Sequence, residues 1–316
     1  MGFLVTENPS LIYGDSMKIL LLGGNGYIGS KFYPTIKDKH TVKSIDLCLF
    51  QKDLGYSDKV NFNSVDITEY DIIYCLAGHS SVPMCEHSPT RSWVNNVDYF
   101  TSLCERLSTK QKLIYASSAS VYGAGSEMSS ESSPINFNPL NHYDMQKIAL
   151  DLIANCYVGT GKKIIGLRFG TVNGASPNTR SELMLNSMMK SAIEKKTVIA
   201  KNLNIRRAIL GINDLTRVLN RLIDTEIDSG QYNVSSFNST VHDLAMITSN
   251  KTNAELIITP GDKVAYDFEL NTDKIQKALD FEFKDTVDSI CEELRDTYNA
   301  LNFDNRSDDR NFRNYI

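Results

Sequence analysis

Tyr143 and Lys147 lie four residues apart in the run Asn141-His142-Tyr143-Asp144-Met145-Gln146-Lys147. On a helix that spacing stacks a phenol and an ammonium on one face. A phenol titrates near ~10, so it is a poor base at neutral pH unless a fixed positive charge nearby favours its phenolate. The ammonium supplies that charge, and the pair becomes a proton shuttle. Both residue types are common on solvated helix surfaces, so the chemistry of the pair depends on what the rest of the chain places around it.

An anion-binding turn opens the regular part of the chain. Met17-Lys18-Ile19-Leu20-Leu21-Leu22 reads as a short buried parallel strand and runs straight into Gly23-Gly24-Asn25-Gly26-Tyr27-Ile28-Gly29. The spacing Gly23-x-x-Gly26-x-x-Gly29 assigns Gly23 to the tight turn, Gly26 to close approach of backbone to a pyrophosphate, and Gly29 to packing of the next helix on the strand. The phosphates would meet the N-terminus of that helix, where free N–H groups and the helix dipole attract negative charge. Asp46 closes a second strand-like run, Thr41-Val42-Lys43-Ser44-Ile45, roughly 20 residues after the glycines. A carboxylate there accepts hydrogen bonds from both ribose hydroxyls and repels a 2′-phosphate, which favours NAD over NADP.

The 316 residues can bury a sizeable core, as one large α/β unit or two unequal lobes. A net charge of −5 gives no global pull towards nucleic acid or anionic membrane, and no basic stripe interleaved with aromatics runs along the chain. The six cysteines, at 48, 75, 85, 104, 156 and 291, form no Cys-x-x-Cys pair and several sit in apolar segments, so neither disulfides nor a metal site are expected. The first residues lack the basic start and apolar stretch of a secretory signal, and no run of about 20 apolar residues exists to cross a bilayer. A cytoplasmic protein is the expectation. Met1-Gly2-Phe3-Leu4-Val5-Thr6 fits a loose myristoylation pattern, but the bulky residues after Gly2 and the missing basic cluster argue against a lipid anchor.

From 18 to about 170, apolar strand-like runs alternate with longer amphipathic stretches, as in a doubly wound parallel sheet. Strands are expected at 18–22, 41–46, 60–65, 71–76, 111–116 and 163–168. Helices are expected near 27–38, 90–108 and 142–159, the last carrying Tyr143 and Lys147 in its first turns and ending at Gly159-Thr160-Gly161. The expected organisation is an extension over 1–16, a dinucleotide-binding domain over 17–170, and a smaller, mainly substrate-binding lobe over 171–301. A polar tail over 302–316 is expected to be mobile or loosely docked.

The glycine turn, Asp46, Tyr143 and Lys147 together resemble the extended short-chain dehydrogenase/reductase family, in its branch of NAD-dependent nucleotide-sugar epimerases, dehydratases and reductases. The fold so implied is a Rossmann-type doubly wound sheet with a smaller C-terminal lobe. Further stretches from 17 to about 290 resemble the family. Asp66-Ile67 looks like the pair at the adenine, and Leu76-Ala77-Gly78 like the strand end along the cofactor, with Tyr27 and Ile28 inside the glycine loop. Asn95-Asn96-Val97 matches an element that places Asn96 near the cofactor. Tyr115-Ala116-Ser117-Ser118-Ala119-Ser120-Val121-Tyr122-Gly123 resembles the strand end that carries the third catalytic group, which falls by register on Ser118, with Ser117 and Ser120 as close competitors. By the same resemblance, Ser80, Ser81, Ser118, Thr171, Arg180 and Arg207 are substrate residues. Arg207 would meet the diphosphate, since a planar guanidinium pairs bidentately with phosphate oxygens; Arg206 stands beside it.

The resemblance implies a nucleotide-sugar substrate, NAD as cofactor, and Tyr143 accepting a proton from a sugar hydroxyl held by Ser118 as hydride leaves the same carbon. An epimerase is the expected activity, with keto-reductase, dehydratase or decarboxylase as alternatives, and a non-catalytic dinucleotide sensor as the reading from another class. Dehydration is disfavoured, because the family's Asp-Glu pair after the catalytic hydroxyl is replaced here by Ala119 and Ser120. Other departures are Asp144 and Gln146 where Gly and Ser or Thr are usual, Gly211 where His is usual, and Thr171 where Asn is usual. Pairing into a homodimer through helices of the sheet domain is compatible with this reading.

Overall fold

The computed structural model describes residues 16–48, 51–61, 64–125, 127–261 and 266–304. Six strands build the central sheet: β1 (Lys18–Leu22), β2 (Thr41–Ile45), β3 (Ile72–Cys75), β4 (Lys112–Ser118), β5 (Lys163–Phe169) and β6 (Gly230–Val234). They lie in the order β6-β5-β4-β3-β1-β2, and every neighbouring pair is parallel. The apolar runs of β1 and β3 are continuous because both faces of the sheet are covered there, whereas β2, at the edge, is mixed. Ile19 and Leu21 point into one core with Phe32 and Ile36 of helix Tyr27–Ile36 and Leu215 and Leu219 of helix Ile212–Asp224. Leu20 and Leu22 point into another, with Phe100, Leu103, Leu150 and Ala154. This is the Rossmann-type doubly wound architecture expected from the sequence.

Two stretches differ from the expectation, and the start of the tail is docked. Val60, Asn61, Ser64 and Val65 lie in no strand. The Ser64 N–H and hydroxyl both turn back onto the Asn61 carbonyl, and among the described residues the outer edge of β2 carries a single bridge, Ile45 to Asp58. The lobe expected over 171–301 is interrupted, because β6 returns to the central sheet beside β5 and helix Ile212–Asp224 packs beneath it. In the tail, Asn302–Asp304 pairs in parallel with Asn178–Arg180, and Ser181 donates to the Asp304 carbonyl, so these three residues are docked. The extension's first fifteen residues, with the Met1-Gly2 motif, and residues 305–316 lie outside the described residues.

The remaining C-terminal elements surround a core of their own. Helices Met184–Lys195, Val241–Thr252 and Val287–Thr297 bury Leu185, Met189, Leu244, Ile290 and Leu294 against strand Thr197–Ala200. The expected helix at 90–108 forms as Pro89–Trp93 and Tyr99–Arg106, joined by one wide i→i+5 turn over Val94–Asp98. Such an extra residue re-aims side chains and recurs at functional sites.

Helix His142–Val158 carries Tyr143 and Lys147. Asn141 caps it by accepting from the Asp144 N–H at 2.9 Å. An ion pair anchors it to the sheet. Asp151, fully buried, accepts from Arg168 Nε of β5 and from the Tyr115 hydroxyl of β4, both at 2.8 Å. Arg168 also donates to the Tyr122 hydroxyl at 2.8 Å, which donates to Asn233 of β6 at 2.7 Å. Removing one partner of such a pair leaves an uncompensated buried charge. Arg168→Ala is therefore expected to cost about 3–5 kcal/mol in urea unfolding. A loss below about 1 kcal/mol would show that the helix is held by other means.

Candidate functional site

The order of the strands reverses between β1 and β3, since the chain runs from β1 outward to β2 and then returns to the other side. In an open parallel sheet the crevice at such a reversal, at the carboxyl ends of the strands, is where ligands bind. Here those ends open into a cavity of about 350 Å³. Leu76, Ala77 and Gly78 after β3, Ala116 to Ser118 of β4, Phe169 at the end of β5 and Gly170 and Thr171 after it line it, as do Tyr27 and Ile28 after β1.

Tyr143 and Lys147 both face this cavity and are half-buried. The Lys147 ammonium sits 5.6 Å from the centre of the Tyr143 ring and donates to the Ala116 carbonyl at 2.7 Å. That bond ties the cation to the end of β4, beside the phenol. Ser117, Ser118 and Ser120 all line the cavity, but Ser117 and Ser120 are 2% and 8% exposed while Ser118 is more open. Ser118 Oγ accepts from the Ser120 N–H at 3.2 Å and so begins the short turn Ala119–Tyr122.

Asn96 and Gln146 brace the loop after β3. Asn96 Oδ1 accepts from the His79 N–H at 2.8 Å, and its amide donates to the His79 carbonyl at 3.0 Å and to Gln146 Oε1 at 2.7 Å. Gln146, fully buried, donates in turn to Ser92 Oγ. The longer amide at 146 thus spans from the helix His142–Val158 to the helix Pro89–Trp93. His79 is buried on the cavity wall with its ring bonded to Asn95. His142 lies outside the lining and pairs with Glu86.

The glycine turn fits a dinucleotide. Gly23 has φ +97°, and a Cβ there would stand 2.7 Å from the Ala77 nitrogen. A Cβ on Gly29 would stand 2.0 Å from the Gly23 carbonyl oxygen, so the helix can approach the turn only without a side chain. At Gly26 a Cβ would meet only the Gly23 oxygen, at 3.2 Å, and the helix it begins has no side-chain cap. Its first N–H groups are therefore suited to phosphate oxygens. Asp46 accepts from the Asn25 N–H of the glycine turn at 3.0 Å and from the Cys48 N–H at 2.8 Å. The carboxylate thus stands at the tip of β2 beside the turn, where a ribose acid belongs. Asp66 accepts from the N–H and hydroxyl of Thr68, and Ile67 is buried in the core below. Gly23, Gly26, Gly29, Asp46, Asp66 and Ile67 lie outside the cavity lining, whereas the other cofactor residues expected from the sequence, Tyr27, Ile28, Leu76, Ala77 and Gly78, lie within it, and Asn96 braces it from behind.

The far wall separates the two adjacent arginines. Arg206 is paired with Asp267 and Glu269. Arg207 points the other way into the cavity, 5.8 Å from the centres of both the Tyr266 and Phe268 rings, and forms no ion pair with a carboxylate of the described residues. Burial pulls its guanidinium below the usual range. Arg180 also lines the cavity but is paired with Glu182, and it donates to the Ser80 carbonyl at 3.2 Å across the mouth. Ser80, Ser81 and Thr171 line the same space, and Ser81 caps helix Val82–His87. Tyr266 and Phe268 were missed by the sequence reading. Their signal is the alternation Tyr266-Asp267-Phe268-Glu269, which has meaning only once the partner strand is known.

Among the described residues no cluster of His, Cys, Asp or Glu is arranged to hold a metal, and no helix is long and apolar enough to cross a membrane.

A parallel sheet with a glycine turn at its reversal point and a Ser, Tyr and Lys around one cavity defines a Rossmann-type dinucleotide-dependent enzyme. Comparison with known proteins names the group. Residues 19–235 match the NAD dependent epimerase/dehydratase family, and the chain belongs to it, with NAD as the family's cofactor. The chain is similar to protein CapI of Staphylococcus aureus, 29% identical over 66% of this chain and 69% of that protein. It is 28% identical to a UDP-glucose 4-epimerase of Lactobacillus helveticus over 51% of this chain and 53% of the relative. The fold also matches the UDP-glucuronic acid 4-epimerase of Bacillus cereus, solved with UDP-glucuronic acid and NAD. That match has a TM-score of 0.78 at 19% identity, over 89% of this chain and 98% of that one.

Because Gly29→Ala would drive a methyl group into the Gly23 carbonyl, it should weaken NAD binding about tenfold or more, roughly 1.4 kcal/mol, in a calorimetric titration. An unchanged affinity would mean that the turn does not hold the cofactor.

Proposed function

We propose that the protein is an NAD-dependent nucleotide-sugar 4-epimerase, with Tyr143 as the proton acceptor and donor, Lys147 as its fixed charge and Ser118 as the hydroxyl on the reacting oxygen. The observation that carries this reading is the sharing of one cavity by Tyr143, Lys147, Ser118 and the unpaired Arg207. The sequence similarity to a UDP-glucose 4-epimerase supports it, as does the shared fold of a UDP-glucuronic acid 4-epimerase.

In this mechanism Arg207 holds the substrate diphosphate, and its aromatic surroundings keep the charge available for the ligand. The sugar extends from there towards Ser118, whose hydroxyl hydrogen-bonds the oxygen that will lose its proton. Tyr143 takes that proton, with the Lys147 ammonium held alongside by the Ala116 carbonyl. The glycine turn, Asp46 and the strand end Leu76-Ala77-Gly78 would hold NAD, which would supply hydride acceptance from that carbon and hydride return to its opposite face. Tyr143 then returns the proton. Ala119, fully buried, and Ser120 occupy the positions where the resemblance calls for an acid pair in a dehydratase, so water elimination has no acid or base there.

The test is incubation of the protein and NAD with a panel of nucleotide-sugars, followed by mass and NMR analysis. An epimer keeps the substrate's mass, whereas reduction adds two hydrogens and decarboxylation loses carbon dioxide. Tyr143→Phe should retain NAD binding and lose roughly 10²–10⁴-fold in turnover. Retained turnover in that variant would remove Tyr143 from the proposed role.

A further inference from the structure

Asp144 follows Tyr143 directly, at a position where glycine is usual in the sequences this one resembles, and it is 1% exposed. A buried carboxylate needs partners. Its Oδ2 accepts from the Tyr266 hydroxyl at 2.7 Å and from the Asn141 amide at 3.0 Å, and Asn141 also donates to the Tyr266 oxygen at 2.6 Å. The first turn of the catalytic helix thus grips a tyrosine more than 120 residues away in sequence. That tyrosine belongs to the segment on which the two arginines are sorted. Phe268 N–H donates to the Arg206 carbonyl, so alternate residues of 266–269 fall on opposite sides, acids towards Arg206 and rings towards Arg207.

We propose that Asp144 and Tyr266 form a positioning clamp that holds the Arg207 guanidinium towards the diphosphate of the substrate. The proposal rests on the reading of Arg207 as the diphosphate contact. Three features support it. Tyr266 and Phe268 meet edge to face with centres 6.3 Å apart, so fixing one ring fixes the other. Arg207 has its Nε buried without a hydrogen-bond partner, so the rings and not a carboxylate define its place. Burial and the bond to Asp144 push the Tyr266 hydroxyl above its ordinary range, so it remains a donor at neutral pH. Burial also raises the Asp144 carboxyl, opposed by the Tyr266 bond. Neither residue takes part in proton or hydride transfer; they act through Arg207.

The experiment is a double-mutant cycle read by binding, using the intact protein and the nucleoside diphosphates UDP, GDP, ADP and CDP as probes in calorimetry. Tyr266→Phe should raise the Kd of the preferred diphosphate about tenfold, the size of one hydrogen bond to a charged group. The same change should appear in KM for whichever nucleotide-sugar is turned over, with little loss in kcat. Asp144→Asn keeps the shape and one acceptor oxygen and should raise Kd about threefold, roughly half the free-energy loss of the phenylalanine variant. In an Arg207→Ala background, either change should add less than about twofold, because the clamp has nothing left to position. An unchanged Kd in a Tyr266→Phe protein of unaltered Tm would overturn the proposal. So would an equal penalty with and without Arg207, or a wild-type protein that binds none of the four diphosphates. Binding needs no turnover, so a protein that binds a diphosphate through the clamp but epimerises nothing would remove the proposed activity and leave the clamp standing.

Discussion

The helix that carries the phenol and the ammonium is held to the sheet by one buried ion pair, Asp151 to Arg168, and the geometry of the site depends on it. A carboxylate and a guanidinium that are 0% and 4% exposed are costly to bury unless every remaining donor and acceptor is matched. Tyr115, Tyr122 and Asn233 provide that matching from β4, the turn after it and β6. The consequence is registry. Tyr143 and Lys147 lie one to two turns from Asp151 on the same helix, so the orientation of the pair over the cavity is inherited from a network lying beneath it. The Lys147 bond to the Ala116 carbonyl ties the same helix to the same strand nearer the cavity.

The departures at 144 and 146 each set a hydrogen-bonding side chain against a partner on a neighbouring segment. A small residue at either position would leave space between the helix His142–Val158 and its neighbours. Here Gln146 fills it on one side, bridging Asn96 to Ser92, and Asp144 fills it on the other, gripping Tyr266. Gly211 has a comparable explanation. A Cβ there would stand 2.0 Å from an Asp285 carboxylate oxygen, and the segment around Asp285 donates its N–H groups to the buried Asp214. The histidine that the resemblance leads one to expect has no room.

Much of the sheet was legible in the sequence because both faces of a parallel strand are buried. The runs at 18–22, 111–116 and 163–168 have mainly apolar interiors, the run at 41–46 is more mixed, and each appears as a strand within a residue or two. The run at 60–65 misled, since two of its apolar residues alternate with asparagines and a serine that prefer to satisfy the backbone locally. The membership of β6 in the central sheet was not legible, because a strand that returns after some 60 residues of other structure carries no local mark of which edge it joins. The serine and glycine positions were legible as motifs, while the choice between Arg206 and Arg207 was not.

The sequence by itself determined the local devices: a glycine turn that only residues without side chains can make, a helix with a phenol and an ammonium one turn apart, and a serine-rich strand end. These depend on spacings of a few residues, which backbone geometry converts directly into position. The tertiary structure alone decided which arginine faces the cavity, that its companions are rings rather than carboxylates, and that Asp144 reaches Tyr266. Those outcomes depend on pairing segments far apart in the chain, where a shift of one residue reverses every side chain, and no local pattern records that register.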